Sequence, residues 1–275
     1  MPTKTKVRNM FDSIAGDYDA LNHILSLDVD KIWRKKALKQ IVDAPAPVQV
    51  LDLACGTGDF SIAIAKALSR SHKRVGTPIE AHVKAPAKVP VEAQVTSTGF
   101  VTGDSGRSDL MTKGHVTGVD LSEGMLAVMR EKVAKAGLTE MISIEEGDGE
   151  NLRFPDNTFD RVTIAFGIRN FEDRPKGLRE MLRVLKPGGR LVILELSRPE
   201  NKIIRWFYDL YFLHILPKVG GKVSGDKAAY AYLPASVAAF PGKKAFMATM
   251  REAGFRAVTH KAFTLGICRM YTGEK

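Results

Sequence analysis

Apolar positions along the chain fall into two rhythms, one of helical spacing and one of short continuous runs. Val7, Met10, Phe11 and Ile14 recur at helical spacing up to Gly16. Residues 30–42 form a second expected helix, with Ile32, Trp33, Leu38 and Ile41 on its apolar side, and Ala44-Pro45-Ala46-Pro47 breaks it. Val48 to Leu53 then reads as a buried strand, Gly56-Thr57-Gly58 as a turn and 60–68 as a helix. That order is the first half of a βαβ unit. From 71 to 114 neither rhythm persists: Lys, Pro, Gly, Ser, Thr and Val are mixed, and Phe100 is the only aromatic. We read this stretch as an insertion, mobile and dispensable, because its composition cannot bury a core. The pattern resumes with a strand at 115–120 that ends in an acid and a helix at 123–136 stopped by Gly137. Strands follow at 141–145 and 159–166, then a helix at 174–185 closed by Lys186-Pro187-Gly188-Gly189, and a strand at 190–196. Near the end, 246–253 reads as a helix, with strands at 255–263 and 266–272. Alternation of strands and helices predicts an α/β, Rossmann-like fold, its mostly parallel sheet covered by helices on both faces.

Composition narrows the class. A chain of 275 residues with 44% hydrophobic and 26% charged residues suits one sizeable globular domain, or one domain with an appendage. No run approaches the roughly 20 uncharged apolar residues of a membrane span. The first residues carry lysines without an apolar run, so no secretory signal is expected. Cys55 and Cys268 are too far apart to suggest a disulfide or zinc framework, and both read as small buried residues in a reducing, cytoplasmic setting. The net charge of +10 suits nucleic acid, anionic lipid or acidic substrates alike.

Candidate chemistry begins at Asp52-Leu53-Ala54-Cys55-Gly56-Thr57-Gly58-Asp59. Glycines let the backbone turn sharply against a ligand at the carboxyl ends of the strands. Ser61 stands where a dinucleotide fingerprint would place its third glycine. Acids around a loop suit a cationic ligand better than a pyrophosphate, so Asp52 and Asp59 favour S-adenosyl-L-methionine, with its sulfonium and ammonium groups, over NAD. Asp120, ending the second strand, can accept hydrogen bonds from both ribose hydroxyls. It lies 62 positions past Gly58, far beyond the usual 20 or so, which the insertion explains. Asp148 and Gly149, after the third strand, can hold the adenine amino group.

These motifs resemble class I methyltransferases. The rest of the chain resembles the quinone C-methyltransferase family, which acts on demethylmenaquinone or a ubiquinone precursor. The likeness runs through Phe11 to Asp19, Asn22, Ser26, Trp33-Arg34, Leu51 to Asp59 and Phe154 to Asp160. It continues in Phe166-Gly167-Ile168-Arg169-Asn170, Arg183 to Gly189, His214 to Pro217 and Tyr230 to Ser236. The Gly-Ile-Arg-Asn and Tyr-x-Tyr-Leu-x-x-Ser elements are its narrowest signals. The resemblance implies seven strands with the last antiparallel. It carries donor-binding roles onto Thr57, Asp120, Asp148, Gly149 and Ala165, where many relatives have Ser, beside the donor-binding candidates Gly56 and Gly58 of the glycine turn.

The implied reaction is methyl transfer to a ring carbon of a prenylated quinol, a weak nucleophile until a ring hydroxyl loses its proton. Arg169 is the candidate for stabilising the phenolate, acting through a water because guanidinium is a poor base. Asn170 is expected to orient the hydroxyl or water, and Tyr18 to close over the donor from an N-terminal helical lid at 1–46. The methyltransferase domain then spans 47–275. No metal is called for. Within a cap segment at 199–240, the apolar residues from Ile203 to Leu213 suit either a cap touching the membrane or a core-packing helix. His214 is read as structural before catalytic. Expected partners are the quinol, peripheral contact with the inner membrane surface and a second copy in a homodimer, with no nucleic acid. A naphthoquinol is favoured over a benzoquinol by resemblance alone. The rival classes are a methyltransferase of another small molecule or of nucleic acid, a nicotinamide oxidoreductase, and a non-catalytic nucleotide-binding protein whose site the insertion blocks.

Overall fold

A computed structural model describes residues 3–16, 18–19, 28–43, 48–75, 114–211 and 227–275, leaving aside the side chains of 71–75 and 227–231. Asn22, Ser26, the 44–47 breaker, residues 76–113 of the insertion, and 212–217 with His214 lie outside the described residues.

Two helices open the chain, α1 (Lys4–Ile14) and α2 (Val29–Ile41). The alternating core follows as β1 (Gln49–Leu53), α3 (Asp59–Val75), β2 (His115–Asp120), α4 (Glu123–Lys135), β3 (Ile142–Glu146), β4 (Phe159–Ala165), α5 (Arg174–Val184) and β5 (Leu185–Leu196). The chain continues through α6 (Lys202–Leu210), α7 (Lys227–Ala239), α8 (Lys243–Glu252), β6 (Arg256–Phe263) and β7 (Cys268–Glu274). The strands form one sheet in the order β3-β2-β1-β4-β5-β7-β6. Pairing is parallel from β3 across to β5, and β7 runs antiparallel to both its neighbours. The expected seven-stranded sheet with its last strand reversed is the one observed.

Alternation within the central strands builds a core on each face. Leu51, Leu53 and Ile164 pack with Leu178 of α5 and Phe246 of α8, all fully buried. Val50 and Val116 face the other way, onto Ile41 of α2, Ile64 of α3 and Leu126 of α4. Each such side chain contributes about 1.5–3 kcal/mol of burial. Side-chain caps set helix starts near the ligand end of the sheet. The Ser122 hydroxyl accepts from the Met125 N–H, and Asp173 accepts from the Lys176 N–H ahead of α5.

Four expectations change. Ile32 is 54% exposed, because the inward face of α2 is the Trp33, Ala37, Ile41 row. The Lys186–Gly189 turn belongs to β5, which pairs Leu185 with Phe159 and absorbs the glycines as a register shift before Arg161. The last strand starts at Cys268, since Thr264–Gly266 forms a 3-10 turn with Thr264 and Leu265 both left-handed. The stretch read as insertion from 71 is still α3 as far as Val75.

Candidate active site

The ligand cleft opens where β1, β2 and β4 end. Two non-glycine residues there adopt left-handed backbone, Ala54 (φ 49°) after β1 and Phe166 (φ 62°) after β4. Strain of that kind concentrates at functional sites. Gly58 (φ +83°) permits the loop's turn into α3, and a Cβ there would stand 2.4 Å from Met129 Cγ. The cleft encloses about 770 Å³, part of it open to solvent. Its lining includes Tyr18, Gly56, Asp120, Asp148, Gly149, Ala165 and Asn170, seven of the site residues expected from sequence.

Asp120 anchors this arrangement. Its Oδ2 accepts the Gly56 N–H at 2.8 Å and its Oδ1 the Ser122 N–H at 2.9 Å, so one carboxylate ties the glycine loop to the start of α4. Each oxygen keeps a further lone pair for a ligand. Burial pushes the Asp120 carboxyl up, and the two N–H groups draw it back. A buried acid at a cleft wall, acceptor-only when ionised, fits the ribose hydroxyls of S-adenosyl-L-methionine.

The N-terminal segment closes one side. Lys4, Val7, Arg8, Phe11 and Tyr18 all line the cleft. The polar row of α1, spaced four residues apart, grips the sheet end. Lys4 Nζ pairs with Asp148 (2.7 Å) and Glu150 (2.9 Å), and Arg8 with Glu146 (3.1 Å). Asp12 Oδ1 accepts from Ser122 Oγ at 2.5 Å and from the Gly124 N–H at 3.1 Å. Thr57 Oγ1 donates to Asp19 Oδ1 at 2.5 Å.

Several expected residues stand behind the wall. Asp52 is 1% exposed, accepts Ser61 Oγ–H at 2.6 Å, and is pushed up to about 7 by desolvation. It does not line the cleft; nor do Thr57, Gly58 and Asp59. Asp59 is engaged by Lys132 and by Arg34, the latter at 3.0 Å. Gly149 is a glycine because Phe171 needs the room: a Cβ would meet that ring at 2.6 Å. Cys268 is buried as expected, whereas Cys55 is only partly so, with its Sγ 3.5 Å from Met129 Sδ.

Arg169 also lies behind, in contrast to its neighbour Asn170. Its Nη1 donates to Glu195 Oε1 at 2.8 Å and to the Phe166 carbonyl. Its backbone N–H donates to Glu195 Oε2 at 3.1 Å and its Nε to Ser236 Oγ at 3.3 Å. Burial would pull the guanidinium down, but the Glu195 carboxylate outweighs it and holds Arg169 above its usual range, with the Tyr18 and Tyr232 phenols adding to the effect. Sequence reasoning missed Glu195, which is fully buried. The signal was present: a lone acid in the apolar run Leu191 to Leu196 demands a buried partner. Lys4 was missed as well for want of any motif, whereas Asp12 stands in the Phe11 to Asp19 stretch and was given no role there.

A family model described as the ubiE/COQ5 methyltransferase family matches residues 2–275. The chain belongs to that family. The ubiquinone/menaquinone biosynthesis C-methyltransferase of Geobacter sulfurreducens is 42% identical over 98% of this chain and 88% of its own length. The demethylmenaquinone methyltransferase of Bacteroides fragilis is 39% identical over 98% and 92%. Among solved structures, a SAM-dependent methyltransferase from Thermotoga maritima has a TM-score of 0.56 at 16% identity, covering 97% of this chain and 99% of that one. At that identity it speaks to the fold alone. Gly56, Asp120, Gly167 and Asn170 border one and the same cleft.

Proposed function

We propose that this member of the family transfers a methyl group from S-adenosyl-L-methionine to a ring carbon of a prenylated quinol, turning a demethylmenaquinol into a menaquinol. The carrying observation is that Asn170, from the narrow Gly-Ile-Arg-Asn element, faces the same cleft as Asp120. Donor site and acceptor-ordering group thus share one space. When bound, the donor supplies an electrophilic methyl on a sulfonium.

The chain's residues do the rest. Asp120 holds the ribose, Asp148 and Gly149 border the adenine end, and Tyr18 with Phe11, ring centroids 6.0 Å apart, closes the top. Ala165 brings a methyl group to the wall in place of a hydroxyl. Asn170 orients the quinol hydroxyl or the water that takes its proton. Arg169, next to Asn170 in the chain and held by Glu195 behind the wall, favours the oxyanion from there. Asp52, Thr57, Gly58 and Asp59 act beneath the loop, holding its shape.

Residues 1–46 serve as the lid and 199–240 as the acceptor cap. The apolar stripe of α6 turns outward: Ile203, Trp206, Phe207 and Leu210 are 70, 61, 59 and 41% exposed, against the core-packing alternative. With Lys202 exposed beside it and the chain at +10, that stripe suits an anionic membrane surface, where prenylated quinols reside. No described helix is long and apolar enough to cross a membrane.

The test is incubation of the protein with labelled donor and detergent-dispersed demethylated naphthoquinol or benzoquinol. Label is expected in the naphthoquinol. Label in the benzoquinol alone reverses the choice of acceptor, and none in either, with donor binding intact, removes the quinol reading.

A further inference from the structure

One narrow motif, Tyr230-x-Tyr232-Leu233-x-x-Ser236, has so far no task in the site. It forms the middle of α7, remote in sequence from the strand ends. Tyr232 and Ser236 are four residues apart and so share a helix face. That face meets the Gly-Ile-Arg-Asn element twice. Tyr232 Oη donates to Asn170 Oδ1 at 2.8 Å. Ser236 Oγ donates its own hydrogen to the Leu233 carbonyl at 2.9 Å, which leaves a lone pair for Arg169 Nε at 3.3 Å.

These bonds have a directional consequence. With Oδ1 of Asn170 occupied by the phenol, the amide presents its NH₂ side elsewhere, and Asn170 borders the cleft. An NH₂ group donates, so it recognises an oxygen carrying a lone pair or a developing negative charge. Arg169 is fixed on its other edges by Glu195 and by the Phe166 carbonyl, and Arg174 Nη2 donates to the Arg169 carbonyl at 2.9 Å.

We propose that Tyr232 and Ser236 are positioning residues: Tyr232 fixes the Asn170 amide as a donor toward the acceptor oxygen, and Ser236, with Glu195, fixes the Arg169 guanidinium behind it. The proposal rests on the quinol reading for the identity of that oxygen. The bond pattern itself does not depend on it. Through these bonds the acceptor cap and the reacting wall are one unit, so the cap sets the geometry of the hydroxyl-binding pair.

The experiment is a double-mutant cycle with Tyr232→Phe and Asn170→Ala, and a second with Ser236→Ala and Arg169→Ala. Tyr232→Phe is expected to lower kcat about ten-fold with the donor Kd unchanged. It should have no further effect in the Asn170→Ala background, because it acts only through that residue. Additive losses, unchanged kcat, or loss of folding in both Tyr232→Phe and Ser236→Ala would overturn the proposal. A second readout is independent of turnover: solvent exchange of the Arg169 Nε–H, assigned by NMR from its loss in Arg169→Ala. Ser236→Ala should speed it about ten-fold, and unchanged exchange would overturn the Ser236 half. If wild type methylates no quinol, the acceptor reading falls, while this exchange still decides the positioning.

Discussion

Asp120 carries two duties, bracing the glycine loop and offering lone pairs to a ligand. Asp120→Ala removes charge-assisted bonds of about 2 kcal/mol, so donor Kd should rise roughly thirty-fold by calorimetry. An unchanged Kd would take Asp120 out of the site. Asp52 gives a pH signature instead. Its folded value is about 7, whereas an unfolded aspartate titrates near 3.9. Between these the unfolded chain binds fewer protons than the folded one, so this residue makes stability fall as pH rises from about 4 to about 7. Denaturant midpoints of wild type should therefore drop across that window more than those of Asp52→Asn. Parallel profiles for the two proteins would refute this. Asp120 and Asn170 were legible in the sequence because each ends a strand or follows one within a recognisable motif. Lys4 and Glu195 act through partners 144 and 26 positions away, which local spacing does not encode.

At the level of elements, β1, β2 and β4 were legible because central parallel strands are continuous apolar runs. The start of β5 was not, since Lys-Pro-Gly-Gly has the composition of a turn and becomes strand only by pairing across a shifted register. Ile32 misled for a related reason: adjacent apolar residues on a helix point about 100° apart, and Trp33 takes the inward place. The α6 stripe makes the sharpest claim at this scale. Trp206→Glu combined with Phe207→Glu should reduce co-sedimentation with anionic vesicles at least about ten-fold, while leaving the melting temperature near that of wild type. Undiminished vesicle binding would separate α6 from the membrane. Breaking the buried Arg169–Glu195 pair by Glu195→Ala should cost about 3–5 kcal/mol in a denaturant titration, and a loss below 1 kcal/mol would show the pair to be dispensable.

Taken as a whole, the sheet draws all seven strands from residues 49–53 and 115–274. Gly114 lies beside the Leu68 side chain and the Val48 backbone, so the chain enters β2 next to α3, and a few residues would bridge from about position 71. Replacing 73–112 with a short glycine-serine linker should keep the melting temperature within a few degrees and the donor Kd within about two-fold. Collapse of folding would assign the segment a structural task. The strap across the cleft has a kinetic corollary. Lys4, Arg8, Asp12 and Asp19 fasten the leading helical segment to four separate places by ionic or polar bonds, most of them partly solvated. Added electrolyte weakens such fastenings within a Debye length of about 8–10 Å. Spent nucleoside should accordingly depart faster in moderate salt than in dilute buffer.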